Sequence, residues 1–115
     1  MDYFYTIQKL TLAFNDLALG EDDIRYRLVR AYHTVHLLEE NDFPENLKED
    51  WIKFENGINE WEPGILDINI RQIYDMEEKT VLKDEKKKNA KVLAKILLEL
   101  YCKLLKNPAV SKMFA

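Results

Sequence analysis

Apolar residues recur along four separate segments of the chain at alternating steps of four and three. In the first segment the series is Tyr3, Ile7, Leu10, Phe14 and Leu17. This spacing keeps all five side chains on one stripe of an α-helix, because 3.6 residues complete a turn. A half-buried strand would need a period of two residues instead. The shared spacing therefore predicts an all-α fold whose helices pack along their apolar stripes.

The remaining three segments repeat the alternation. The second series is Ile24, Leu28, Ala31, Val35 and Leu38. The third series is Leu47, Trp51, Phe54, Ile58 and Trp61. The fourth series is Ala90, Ala94, Leu97, Tyr101 and Leu104. We therefore predict an up-down helical bundle of four main helices plus one short helix, in a single domain covering residues 1–115.

Glycine, proline and capping residues set the predicted helix ends. The first helix is predicted over Asp2–Leu19, with Gly20 as a left-handed C-terminal cap. The second is predicted from Ile24 to about Glu40, and the fourth from Asp84 to the stop at Asn107 and Pro108. Gly57 lies inside the third helix, where it implies either a close packing partner or a weak point.

Two regions leave their conformation open. Residues 65–82 contain alternating Leu66, Ile68 and Ile70, as in a strand, but a lone strand has no partner in this chain. We favour a short helix there, which Asp67 would cap. The tail, 109–115, is predicted either to fold back through its apolar residues or to be mobile.

Charge and cysteine content narrow the classes of protein. The formal net charge is −4, which argues against a nucleic-acid partner or an anionic membrane surface. Cys102 is the single cysteine, so no intramolecular disulfide can form and a reducing compartment is favoured. The first ten residues lack the pattern of a signal peptide, and no apolar run approaches bilayer length. These features predict a cytoplasmic protein with no membrane partner.

Arginine and histidine alternate along the second predicted helix. Arg27 and His33, and likewise Arg30 and His36, have the spacing Arg-x5-His. This pattern resembles the Arg-x4–6-His motif of the HEPN ribonucleases, small helical bundles whose dimers juxtapose two motifs to cut RNA. The resemblance implies a metal-independent ribonuclease in which histidine moves a proton and arginine holds a phosphate.

The same arginines have a structural explanation as well. They lie close in sequence to Glu21, Asp22 and Asp23, with which they would pair on a solvated helix. The histidines would then be surface or partly packed side chains. We therefore keep the ribonuclease as the alternative hypothesis, and we assign no catalytic residue in the leading one.

Metal and cofactor sites are not predicted. His33, His36 and Glu40 share part of one helix face, but a di-iron bundle needs Glu-x-x-His on two helices, and this chain has no such pair. Cys102 lies far from a helix N-terminus and has no predicted histidine partner, so we expect it to be a buried or half-buried packing residue. No phosphate loop or dinucleotide fingerprint occurs. The expected cofactor content is none.

Apolar residues beyond the four series suggest a contact with another protein. Helix one adds Phe4, Tyr5 and Leu12, whereas helix four is apolar over most of its circumference and must be either central or buried at a subunit contact. We predict an interface made of Val29, Tyr32, Leu93, Ile96 and Leu100. The leading hypothesis is therefore a non-enzymatic interaction or regulatory protein that binds another protein or itself, as a homodimer.

Overall fold

The computed structural model describes residues 2–20, 23–68 and 84–114. The α-helices are α1 (Phe4–Leu19), α2 (Ile24–Val35), α3 (Lys48–Trp61), α4 (Lys87–Lys106) and the short α5 (Pro108–Ser111). Single 3-10 turns occur at Glu40–Asp42, Glu45–Leu47, Ile65–Asp67, Asp84–Lys86 and Lys112–Phe114. These residues form no β-strand, and the four main helices pack against one another. The prediction of an all-α bundle is confirmed.

Helix α4 is the centre of the bundle. It packs against α1, α2 and α3. Six of its residues are buried: Ala90, Leu93, Ala94, Leu97, Leu100 and Leu104. The apolar circumference of this helix is therefore explained by contacts on several sides within the chain, which is the first of the two alternatives that the sequence left open.

The predicted apolar series match the core most closely on α3. All five members of the third series, from Leu47 to Trp61, are buried. On α1 the buried stripe is instead Tyr3, Thr6, Leu10, Ala13 and Leu17. Ile7 and Phe14 lie at the flank of this stripe, where the Phe14 ring is 5.4 Å from the ring of Tyr101 on α4. Thr6 is accommodated there because its hydroxyl donates to the carbonyl of Asp42 at 2.7 Å, and the small side chain of Ala13 is fully buried.

Helix α2 ends at Val35, so its predicted extension to Glu40 is wrong. The backbone N–H of Leu38 donates to the carbonyl of Val35 in a tight turn, which keeps Leu38 buried. Glu39 is extended and forms a capping box with Asp42 for the following 3-10 turn. The caps satisfy backbone groups that a longer helix would otherwise have used, and they redirect the chain toward α3.

Gly20 is not a left-handed cap, because its backbone is extended with φ −68° and ψ 142°. The glycine is needed for space: a Cβ atom would lie 2.6 Å from both the Asp16 carbonyl oxygen and Cδ of Arg27. Arg27 instead donates to the carbonyl of Leu17 at the end of α1. A cationic side chain thus caps the negative end of the helix.

The other two glycines have different structural roles. At Gly57 a Cβ atom would lie 2.7 Å from Cδ2 of Leu93, so the close packing partner is confirmed and belongs to α4. Gly64 has φ +82°, which places it in the left-handed region, in the turn between the end of α3 and the 3-10 turn at Ile65–Asp67. Gly57 therefore marks the contact between α3 and α4, and Gly64 marks the turn after α3.

The C-terminal segment folds back onto the bundle. Asn107 caps α5 through its side-chain oxygen and donates to Oδ1 of Asn46. Val110 is fully buried, and the backbone N–H of Tyr3 donates to Sδ of Met113 at 3.4 Å. The short helix predicted within 65–82 falls mainly on residues outside the described ranges. Within residues 2–20, 23–68 and 84–114, no helix is both long and apolar enough to cross a membrane.

Candidate functional site

The arginine and histidine residues of α2 do not converge. A spacing of six residues separates two side chains by about 120° around a helix, since each residue rotates by about 100°. In both Arg-x5-His pairs the arginine lies toward α1, whereas His33 lies toward the turn after α3 and His36 bonds to the carbonyl of His33 at the end of α2. The arginine and the histidine of each pair therefore leave α2 on different sides.

The two arginines are engaged by α1. Arg27 caps the last turn of that helix, as described above. Arg30 lies near the Asp16 carboxylate and lowers its pKa, although burial of Asp16 has the larger effect and raises the pKa above its ordinary value. Thr34 donates to the same carboxylate at 3.4 Å. These contacts make the arginine side of α2 part of the α1–α2 packing.

The two histidines donate to backbone carbonyl groups. Nε2 of His33 donates to the carbonyl of Ile65 at 3.1 Å, and Nδ1 of His36 donates to the carbonyl of His33 at 2.6 Å. Their rings are 6.4 Å apart. One nitrogen of each ring is thus used to hold local structure, and His33 also ties α2 to the turn after α3.

The five residues of the predicted interface lie mostly inside the chain. Val29 and Tyr32 are buried on α2, and Leu93 and Leu100 are buried on α4. Ile96 is partly buried against the core. The structure places these side chains between helices of one chain, because α4 is central, so the exposed apolar surface lies elsewhere.

The outward face of α1 is the most apolar exposed helix face that the structure describes. Seven residues of α1 are exposed, and none is charged: Phe4, Tyr5, Gln8, Leu12, Asn15, Ala18 and Leu19. Tyr5, Leu12 and Leu19 are seven residues apart and are 46%, 47% and 75% exposed. We call the line Tyr5, Gln8, Leu12, Asn15 and Leu19 the outer stripe of α1. It is a candidate contact surface, because the solvent face of a helix normally carries charge.

The two charged residues of α1 lie beside the outer stripe. Lys9 and Asp16 are both partly buried, and Lys9 Nζ lies 5.7 Å from the centre of the Tyr5 ring. Surplus apolar residues are visible on helix one in the sequence, but the predicted interface lies on the second and fourth helices. The signal that would have found the stripe is the scarcity of charge: α1 has two charged residues in sixteen, in a chain that is 33% charged.

A cluster of three polar side chains, Tyr32, Glu55 and Asn59, lies between α2 and α3. Burial is the main cause that raises the pKa of the Tyr32 hydroxyl, and the nearby Glu55 carboxylate raises it further, while a hydrogen bond with Asn59 opposes both. The pKa of Glu55 is itself raised, first by burial and then by repulsion from Glu39. The group is therefore arranged to hold Tyr32 in its neutral form.

Replacing Glu55 with glutamine is expected to lower the pKa of Tyr32 partway toward the ordinary tyrosine value. The reason is that the substitution removes one negative charge beside the hydroxyl but leaves the burial unchanged. The Tyr32 side-chain resonance, followed by NMR during a pH titration, measures the change. Glu60→Gln on the same helix is the matched control, because Glu60 is exposed and should not affect Tyr32. An unchanged Tyr32 pKa in Glu55→Gln would contradict the assignment.

Other chemistry-bearing residues do not assemble. Cys102 is exposed on α4, so its expected role as a buried or half-buried packing residue is wrong. Its position on the solvent side follows from the α4 stripe that faces the core. Among the residues described, no three His, Cys, Asp or Glu side chains form a group that could hold a metal ion.

Comparison with family models, curated proteins and solved structures found no match to this chain. The candidate site therefore rests on the geometry of the chain itself. That geometry points to the outer stripe of α1.

Proposed function

We propose that this chain is a non-enzymatic interaction protein that binds a protein partner through an exposed helix face. The observation that carries the proposal is the uncharged outward face of α1, with Leu12 and Leu19 open to solvent. Removing such a face from water has a small desolvation cost because it carries no charge, and burying its apolar side chains against a partner lowers the free energy. The partner role extends to a homodimer, the commonest closed assembly.

Site-specific photo-crosslinking in cells tests the proposal. A photoreactive amino acid replaces Leu12 or Leu19, and crosslinked protein adducts are identified by mass spectrometry. We expect adducts from both positions and none from the matched control at Leu37, which is 68% exposed, between Leu12 and Leu19, but lies in the turn after α2. The proposed interaction is contradicted if the Leu12 and Leu19 positions yield no more protein adduct than the Leu37 control.

The ribonuclease hypothesis stays a prediction, and no feature of the site favours it over the interaction protein. Its decisive measurement is cleavage of structured RNA by the full chain, repeated with His33→Ala and His36→Ala. Cleavage that is lost in either variant would replace the proposal above.

A further inference from the structure

We infer that one exposed side of α4 binds an acidic amphipathic helix of a partner protein. This side is formed by six residues that follow one another at steps of three and four: Lys88, Lys91, Lys95, Leu98, Cys102 and Leu105. We call them the α4 line, which is about 25 Å long at 1.5 Å per residue. It is a different surface from the outer stripe of α1, and the inference does not depend on what α1 contacts.

The lysines of the α4 line have almost no partner within the chain. Helix α4 carries six lysines and one glutamate, although the whole chain has a net charge of −4. Two lysines beside the line pair with aspartates elsewhere in the bundle, at 3.4 and 3.2 Å. In the part of the chain that the structure describes, Lys88 and Lys91 form no ion pair, and Nζ of Lys95 lies 4.0 Å from the Glu99 carboxylate. The first half of the line is therefore an uncompensated cationic surface.

The positions of Lys88 and Lys91 oppose the stability of α4. Both lie near the start of the helix, where the helix dipole is positive, and the first turn contains no acidic residue. Lys91 is three residues from Lys88 and four from Lys95, so like charges are neighbours on the helix surface. Cations that cost stability and lack a partner in the chain are explained by an anionic partner outside it.

The second half of the α4 line borders a shallow cavity. The cavity has a volume of about 280 Å³ and is lined by Leu98, Glu99, Cys102, Lys103 and Lys106. Its lysines contribute the methylene stems of their side chains, so an apolar group finds apolar contacts there. The cavity therefore fits an apolar side chain of the same partner that neutralises the lysines.

The combination of lysines and an apolar cavity favours an acidic protein segment over a nucleic acid. The α4 line has no arginine and no aromatic residue, which are the side chains that read base edges and stack on bases. A long polyanion would also extend beyond the line, over a chain whose net charge is −4. A partner helix matches the spacing of the line, because its own side chains three and four residues apart share one face. Its acidic residues meet the lysines, and its apolar residues meet Leu98 and Cys102.

Binding of designed peptides to the full chain tests the inference. A fluorescein-labelled helical peptide carries three glutamates and then three leucines at steps of three and four, and a second peptide has the reverse order. A third peptide has the same composition in scrambled order. Fluorescence anisotropy at about 50 mM salt, which limits screening, measures binding. We expect a patterned peptide to bind with a dissociation constant on the order of 100 μM, and the scrambled peptide to bind about 10-fold more weakly.

Paired variants locate the binding surface. Lys88→Gln with Lys91→Gln should weaken binding of the patterned peptide about 10-fold. The matched control, Lys53→Gln with Lys112→Gln, changes the net charge equally at exposed positions outside α4 and should leave binding unchanged. The α4 double variant should also unfold about 2 °C higher than the wild type, because it removes like charges from the start of the helix. A purely structural role of these lysines predicts a lower unfolding temperature instead.

Three outcomes would overturn the inference. The first is that the scrambled peptide binds as tightly as both patterned peptides. The second is that the two double variants bind the patterned peptide equally well. The third is that a labelled DNA duplex binds more tightly than any of the peptides at the same salt concentration, which would assign the α4 line to a nucleic acid. None of these results bears on the photo-crosslinking at Leu12 and Leu19, so the proposed function is tested separately.

Discussion

Replacing Leu100 with alanine is expected to lower the free energy of unfolding by about 2–5 kcal/mol. Leu100 is 1% exposed on α4, the helix that packs against the other three main helices. Truncation there removes apolar contacts on several sides, and the surrounding helices can fill the cavity only in part. The loss should appear in urea unfolding at several protein concentrations, with the slope of the transition unchanged.

Val92→Ala on the same helix is the matched control for Leu100. Val92 is 52% exposed, so its replacement should change stability by no more than about 0.5 kcal/mol. The pair also separates two interpretations of α4. If Leu100→Ala weakened self-association but left the stability of the monomer unchanged, then α4 would be a subunit contact, as the sequence suggested, and its central position would be contradicted.

Removal of the Asp23 carboxylate is the second change with a large expected effect. Asp23 accepts from the backbone N–H of Arg25 at 2.9 Å and from Nε of the same residue at 2.8 Å. Nζ of Lys87, at the start of α4, lies 3.4 Å from its other oxygen. One carboxylate thus caps α2, holds the nearly buried guanidinium of Arg25 and joins α2 to α4. We expect Asp23→Ala to cost about 2–3 kcal/mol, from a lost cap and lost charge-assisted bonds.

Asp23→Asn separates the cap from the charge. Asparagine caps helices as well as aspartate does, so this variant should lose only the part that depends on the charge. Asp2→Ala is the control, because Asp2 accepts from the backbone N–H of Phe4 at 2.8 Å in an exposed position. That control should cost about 0.5–1 kcal/mol. If the free energy of unfolding of Asp23→Asn equals that of the wild type, the ion pair contributes nothing to stability.

The Asp23 contribution should depend on pH with a defined sign. The hydrogen bond from Arg25 is the main cause that holds the pKa of Asp23 well below its ordinary value. The folded state therefore favours the ionised form, and the contribution is complete above the ordinary aspartate pKa of about 4. It is lost as the pH falls below that value toward the depressed pKa. The stability difference between wild type and Asp23→Asn should shrink accordingly over this acidic range.

Local patterns in the sequence were sufficient where burial follows helical spacing. The third apolar series is buried throughout, and Asn107 with Pro108 ends α4 as predicted. The close neighbour implied by Gly57 exists and is Leu93. These features depend on spacing, caps and the lack of a side chain, which are properties of short stretches of chain.

The candidate site could not be located in the same way. Spacing marks which residues of a helix share a face, but not which faces other helices cover. Leu93 and Leu100 on α4 and Leu12 on α1 are all surplus apolar residues in the sequence. Only the packing of α4 against three helices distinguishes them, since it buries the first two and leaves Leu12 exposed.

What the sequence determined by itself is the all-α class and the approximate extent of four main helices, because helical periodicity is a local property. The tertiary structure decided which helix is central, how Arg27 replaces a glycine cap and where apolar surface stays open. These outcomes depend on contacts between residues that are distant in the chain, such as Leu17 with Arg27 and Gly57 with Leu93. The four apolar series therefore specified the bundle, and the packing of the bundle left the uncharged outward face of α1 exposed to solvent.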